Sequence, residues 1–570
     1  MKEVQLTQKN TPHPSGFSIL FHSSLAKRMI HLWSCLNALV RPLISLLSLF
    51  MLAVALLILG TAIFANQYLP GWSDEIFMID PAYYRVNTGI WQSRVAWDSI
   101  NTIPYAPNYP LFINFLRIPI AIFGVDFHIL RGSIFVIGLL AIIFLLVFFK
   151  RKRIFQTRFE LIFALFSVAC FTAFYPCIYV RPEAVLLAIA TFLLFAWMSD
   201  RFVLLFLIAL LVPLCGLQWN ILLLPVVFHW LIFGGKLRKH FLVAFAFALT
   251  TVATLVTYHL LGMWPSYLQE AARVGGLNAV SHTIYKLHNA FIARDFRFLT
   301  NAFYPYDALP GDLLFLFGGV SILLGPPSAK VKKVFVFSAC TYYGVIFAVA
   351  LFGSLNPQYP KLLLIIPAFA APIFFRQMKS HASLLLLSFV LMSSYIAFVH
   401  WHKIRDEANH LSDVATDVSS AAPWVDSSAL KRNLRAVLSP EDIVCCESPS
   451  YFAARSTAKE MMPLVFAFDL SPEQFREITV LILQDEPYRI FDRDRAFFRK
   501  SSFAANLQAI FWDPAPPEDI DLWEFAITPE DLLSTIASHW HCTFTEIPLP
   551  ITPKPNTIQF RIFRPSFHPS

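Results

Sequence analysis

The sequence predicts an α-helical membrane protein that crosses the bilayer about eleven times and carries a small α/β domain at its C-terminal end. Three observations predict it. Of 570 residues, 56% are hydrophobic and only 14% charged, so the chain has too little polar surface to coat a water-soluble body. The apolar residues fall into runs, several of them close to the ~20 residues that span the hydrocarbon core. Lys and Arg gather between those runs instead of along them.

Residues 43–65 form the clearest span, preceded by Arg28 and Arg41. This run is long enough to stay in the membrane, and the segment ahead of it is largely polar, which argues against a cleaved signal peptide. Residues 66–128 are amphiphilic and too polar to cross. Further apolar runs follow at 132–149, 161–175, 184–197, 202–215, 221–233 and 241–261. A second polar stretch, 262–310, precedes the last four, at 313–324, 334–352, 362–375 and 382–399.

Charge orients these spans. With residues 1–42 in the cytoplasm, the basic clusters at 150–153, 236–239, 330–333 and 376–379 all fall inside, as the positive-inside rule requires. The stretches 66–128, 175–183, 262–310 and 353–360 then fall outside, and an odd number of spans places the tail outside as well. The expected organisation is a cytoplasmic segment 1–42, a membrane domain 43–400 with outer loops 66–128 and 262–310, and a soluble extracytoplasmic domain 401–570. The formal net charge of +8 thus reports topology, and no zinc-finger or RNA-binding signature supports a nucleic-acid partner.

In the tail, runs at 443–446, 478–483 and 558–563 read as strands, and 429–438 and 529–539 as helices. Of the eight cysteines, Cys35, Cys170, Cys177, Cys215 and Cys340 lie in or beside apolar runs. Cys445, Cys446 and Cys542 leave one disulfide open in the tail. The pairs His400/His402 and His539/His541 are two apart, diverge on a helix and have no third ligand nearby, so no metal site is assigned. Phosphate loops of the Walker or dinucleotide type are absent.

Five places could carry chemistry, all at predicted outer ends of helices. Trp72-Ser73-Asp74-Glu75 puts two carboxylates at a membrane exit, where one could take the proton of an acceptor hydroxyl. Capping of the next helix by Ser73 or Asp74 is the other reading. Pro107-Asn108-Tyr109-Pro110 opens an apolar segment to Gly124 that suits a helix lying in the interface, or simply a Pro-started helix. Arg181-Pro182-Glu183 opens a helix facing outward, where Arg181 could bind phosphate or pair with Glu183. Tyr359-Pro360-Lys361 puts a cation on the outer side, for an anionic partner or for snorkelling. The loop 262–310 mixes aromatic and basic residues, Arg297 among them, that could grip a headgroup or form an interfacial belt.

Together these residues resemble the GT-C superfamily of membrane glycosyltransferases, near the protein O-mannosyltransferases and the lipid A aminoarabinose transferases. Asp74-Glu75 after the first span, Tyr109-Pro110-Leu111 and Phe123-Gly124 bounding the interfacial helix, Arg131, Arg181-Pro182-Glu183, Tyr359-Pro360-Lys361 and Pro367 carry the likeness, over about residues 43–400. The resemblance implies transfer of a sugar, with inversion, from a polyprenyl-phosphate donor to a lipid, glycan or protein acceptor outside a cytoplasmic (inner) membrane. Asp74 would act as base with Glu75 as the second acid. Arg181, Lys361, Arg131 and Arg297 would meet the donor phosphate, and Trp72, Tyr109 and Tyr359 the sugar or acceptor. The resemblance assigns no metal ligand but leaves a divalent cation open. Pro107-Asn108-Tyr109-Pro110 departs from the charged residue and paired prolines common in relatives, so the sugar stays unassigned. A transporter or flippase, which often shows inverted repeats absent from this sequence, and a non-catalytic assembly subunit are the alternatives.

Overall fold

The computed structural model describes residues 44–68, 73–93, 104–170, 179–223, 237–267, 427–446, 448–464, 472–484, 488–491, 523–551 and 559–567, with a few isolated positions besides. The expected spans at 313–324, 334–352 and 362–375, and nearly all of 382–399, lie outside the described residues, and 221–233 is described in part.

The described membrane portion opens with α1 (Ile44–Tyr68), 25 residues in length. Two shorter helices follow within the stretch 66–128: α2 (Ser73–Asn87), and α3 (Pro110–Phe123) where the sequence predicts a helix ending at Gly124. Next come α4 (Phe127–Arg151), α5 (Arg158–Cys170), α6 (Glu183–Met198), α7 (Phe202–Leu211) and α8 (Leu237–Leu260). Among the described residues, α4 and α8 are long and apolar enough to cross a bilayer. On α8, Phe241, Phe245, Leu249, Val252, Val256 and Leu260 recur every three or four residues and are all exposed. That stripe is an apolar face turned away from the protein, a surface that suits lipid.

Local signals explain the ends. Asp126 caps α4 by accepting the N–H groups of His128 and Ile129 at 3.0 and 3.1 Å, so the helix starts five residues before its apolar run. Pro110 occupies the first turn of α3, and Gly124, at φ +73°, closes it in a conformation that disfavours any side chain. Phe112, Ile113, Leu116 and Ile120 turn α3 into the core, while Ile118, Ile122 and Phe123 stay exposed. An interfacial helix needs both faces in this form.

Packing sorts the residues by level. Phe144 meets Phe192, and Phe148 meets Phe195, with ring centroids 4.5 and 5.0 Å apart, so α4 and α6 run side by side in the same direction. At their C-terminal ends Lys239, at the start of α8, donates to the Trp197 carbonyl at 3.0 Å and pairs with Asp200. The basic clusters 150–153 and 236–239 therefore share one end of the bundle. Arg131, Arg181 and Glu183 sit at the other.

The C-terminal portion contains a five-stranded sheet in the order β2-β1-β3-β7-β6, with β1 (Ile443–Cys446), β2 (Glu460–Pro463), β3 (Val480–Gln484), β6 (Cys542–Ile547) and β7 (Phe560–Phe567). Strand β1 pairs in parallel with β2 and β3, whereas β7 pairs antiparallel with β3 and β6. The strands β4 (Tyr488–Phe491) and β5 (Trp523–Ile527) form a separate antiparallel pair. Side chains alternate between the faces. Cys445, Leu481 and Leu483 point to one core with Leu532, Ile536 and Trp540 of a helix over Pro529–Trp540. Val444, Cys446, Val480 and Ile482 point to the other, beneath helices at Ser427–Val437 and Ser448–Ala454. Ile76 of α2 belongs to that second core, so the sheet domain is seated on α2.

The disulfide left open by the sequence is absent: Cys445, Cys446 and Cys542 are buried free thiols. Cys445 and Cys446 are neighbours on β1 and face opposite ways. Strands β3 and β7 lie between β1 and β6, which separates Cys445 from Cys542 by about 14 Å, twice what a bridge allows.

Asp442, just ahead of β1, ties the sheet together. It accepts Arg564 Nη1 and Nη2 at 3.0 and 3.1 Å, Thr479 Oγ1 at 2.8 Å and the Ser439 N–H at 2.7 Å. Burial opposes ionisation, but these donors outweigh it and hold the carboxyl below its ordinary range. A carboxyl whose folded pKa lies below its unfolded value adds stability that is complete above about pH 5 and drains away as pH falls. The unfolding midpoint of the domain, followed by tryptophan fluorescence, is expected to drop below that pH. Arg564→Ala should lower the midpoint at neutral pH and flatten the acid dependence.

Candidate functional site

Helix α2 starts at Ser73, which makes Asp74 its second residue and Glu75 its third. The side chain of Asp74 lies outside the described residues, as do Trp72, Arg297, Tyr359 and Lys361. Glu75 is fully buried. Its carboxylate accepts Arg131 Nε at 2.9 Å and Nη2 at 2.7 Å, a two-pronged ion pair, and the Val180 N–H at 2.8 Å. Arg131, in the first turns of α4 and equally buried, also lies with its guanidinium carbon 5.0 Å from the centre of the Tyr179 ring.

Tyr179 and Val180 lead into Arg181-Pro182, which opens α6. Arg181 Nε lies 3.2 Å from each carboxylate oxygen of Glu183, and Nη2 lies 3.1 Å from one of them. The pairing weighed for Arg181 is present, and both partners are buried. Three of the expected residues, Glu75, Arg131 and Arg181, thus come together around the 179–183 turn, although 56 residues separate Glu75 from Arg131. Burying two carboxylates and two guanidiniums side by side is tolerable only because each carries an opposite charge within hydrogen-bond reach.

Tyr109 sits just before α3 without capping it through its side chain, and it is half-buried against the membrane core. Beside it a cavity of about 450 Å³ opens between α7, α8 and the 91–110 loop. Trp91, Pro107, Leu214, Thr254, Tyr258 and Met263 are among its walls. Tyr258 donates to the Pro107 carbonyl at 2.5 Å and Ser266 Oγ accepts the Ala106 N–H at 3.2 Å, so the C-terminal end of α8 holds residues 106–107, just ahead of α3.

Sequence reasoning missed a second polar cluster on α2. Asp80, fully buried, accepts Ser93 Oγ at 2.8 Å and the Tyr451 hydroxyl of the C-terminal domain at 2.7 Å. Arg455, also buried, has Nε 4.0 Å from the same carboxylate and its guanidinium carbon 3.7 Å from the Tyr83 ring centre. Burial drives the Tyr451 hydroxyl well above its ordinary range, and the neighbouring Asp80 charge adds to this, so Tyr451 stays protonated as a donor. No local pattern marks Asp80, because Tyr451 and Arg455 lie more than 300 residues away in the chain. Among the described residues no group of three His, Cys, Asp or Glu gathers as a metal-holding set.

No protein-family model matches the chain, and no curated protein matches it. Among solved structures the chain is similar to ArnT from Cupriavidus metallidurans bound to undecaprenyl phosphate, with a TM-score of 0.51 and 13% identity, covering 76% of this chain and 92% of ArnT. ArnT from the same organism in the apo state gives a TM-score of 0.45 at 12% identity, covering 76% and 91%. The likeness to the first is one of overall fold.

Proposed function

We propose, from this GT-C fold, that the chain transfers a sugar from a polyprenyl-phosphate donor to an acceptor hydroxyl or amine at the outer face of a cytoplasmic membrane. The observation that carries the reading is the gathering of Glu75, Arg131, Arg181 and Glu183 at the end of the bundle away from the basic clusters, directly beneath the start of the helix that bears Asp74. That ArnT was crystallised with undecaprenyl phosphate supports the donor class.

In the proposed reaction Asp74 takes the acceptor proton as the acceptor atom bonds to the anomeric carbon. The bond from that carbon to the phosphate oxygen breaks on the opposite face, its electron pair stays with the phosphate, and the anomeric centre inverts. Charge grows on the leaving phosphate, so cations placed there stabilise the transition state more than the ground state. Lys361 takes that role with Arg297 behind it, and Arg181 joins them by turning from Glu183 to the phosphate. Glu75 and Arg131 neutralise each other, and we assign them to holding α2 on the bundle rather than to proton transfer or phosphate binding. Trp72, Tyr109 and Tyr359 remain the proposed contacts to sugar and acceptor. The extracytoplasmic placement of the C-terminal domain belongs to the same reading.

The test supplies purified protein in lipid with radiolabelled polyprenyl-phosphate sugars and extracts of envelope glycolipids, glycans and proteins as acceptors. Label is expected to appear in a covalent product with the opposite anomeric configuration. Movement of intact donor across the bilayer without a product would replace the transferase by a flippase.

A further inference from the structure

We propose that Tyr451 and Arg455 of the C-terminal domain are positioning residues for α2, so that the sheet domain completes the transferase site instead of merely accompanying it; this rests on the transfer reading above. Helix α2 is a poor candidate for rigidity on its own. It has 15 residues and contains Pro81, which can donate no main-chain hydrogen bond. Yet its first turn would have to present Asp74 to within a fraction of an ångström.

Two grips make that placement definite. The membrane portion holds Glu75 through Arg131 and the Val180 N–H. Five residues further on, about 7.5 Å along the helix axis, Asp80 is held by Ser93 and by Tyr451. Arg455 is fastened from behind, with Nη1 3.3 Å from the Ala458 and Lys459 carbonyls, and its guanidinium lies against both Tyr83 and Tyr84 of α2. Ile76 and Phe77, between the grips, pack into the core beneath the sheet.

If adhesion were all that this contact supplied, apolar side chains of similar volume would do as well, since sealing a cation and an anion together gains little over them. What the polar contact adds is direction. The Tyr451 hydroxyl bonded to one Asp80 oxygen, with the Arg455 guanidinium set against the Tyr83 ring, fixes both the rotation of α2 and its advance along its axis. Ile79 and Ala82 press the middle of α2 on the bundle core, but apolar packing of that kind fixes its rotation and its advance less sharply than a directed bond does.

The test uses the full-length protein in lipid nanodiscs, with Tyr451→Phe and Arg455→Met. Tyr451→Phe keeps the ring and its packing and removes one hydrogen bond to Asp80, so it carries the test if Arg455→Met does not fold. Amide exchange across 73–87 should quicken by about five- to tenfold in Tyr451→Phe, while α4 and α6 stay as protected as before. Adding Asp80→Asn to Tyr451→Phe should quicken it further, because it also removes the anion that faces the buried Arg455. In turnover, kcat should fall by roughly tenfold or more with the donor KM within about twofold, the mark of misplacement rather than lost binding. Unchanged exchange across 73–87, or quickened exchange with kcat intact, would overturn the proposal. Should the unaltered protein transfer no sugar from any lipid-linked donor, the transferase reading fails, and the exchange measurement still decides whether Tyr451 and Arg455 fix α2.

Discussion

Replacing Asp74 by Asn is expected to lower the rate of sugar transfer by roughly 10²–10⁴-fold, the usual contribution of a positioned general base. Asn keeps the size and hydrogen-bonding capacity of the side chain and loses only the ability to accept a proton as the new bond forms. Donor affinity should therefore stay close to that of the unaltered protein, and the loss should fall on kcat and kcat/KM alike. Measuring both with one lipid-linked sugar, beside an unfolding midpoint as control, separates the base from a binding residue. A variant that transfers at the original rate removes Asp74 from the mechanism.

The adjacent acid should behave in the opposite way. Glu75→Gln removes the charge from a carboxylate that meets the buried Arg131 guanidinium through two prongs, and breaking such a buried pair costs about 3–5 kcal/mol. The expected result is a large drop in the yield and thermal midpoint of the detergent-purified protein, whatever substrate is present. Arg131→Met should do the same from the other side. Combining Glu75→Gln with Arg131→Met should recover much of the loss, since neither charge is then stranded. Two neighbouring carboxylates would then be told apart by one measurement of rate and one of stability. Equal stability of Glu75→Gln and the unaltered protein would show that the pair does not hold α2.

The difference between these two acids could not be read from the sequence. Asp74-Glu75 stood out because carboxylates are out of place at a membrane exit, but spacing alone could not say that Glu75 is bound to Arg131 from another helix. The long apolar helices α1, α4, α6 and α8 were legible because lipid demands continuous apolar runs, and Pro110 and Gly124 marked both ends of α3. Helix α2 was hidden: its composition is mixed, and Pro81 sits in its interior. In the tail, the Val- and Ile-rich strands β1, β3 and β7 declared themselves, whereas β2 and β6 carry Glu, Pro and Thr and did not. Strand order and the Asp80 cluster depend on contacts between distant segments, which no local pattern encodes.

The bond from Tyr451 to Asp80 joins residues 371 apart in the chain, and this has a consequence for how the protein is made. At about 5–20 residues per second, a ribosome finishes Asp80 some 20–70 s before it reaches Tyr451. Throughout that interval the helix that follows α1 waits with its aspartate still hydrated, and it can be sealed only after the segment that carries Tyr451 has been made and folded. Assembly of this protein therefore ends where insertion began, and a ribosome halted before codon 451 leaves the nascent chain without the partner that buries that carboxylate.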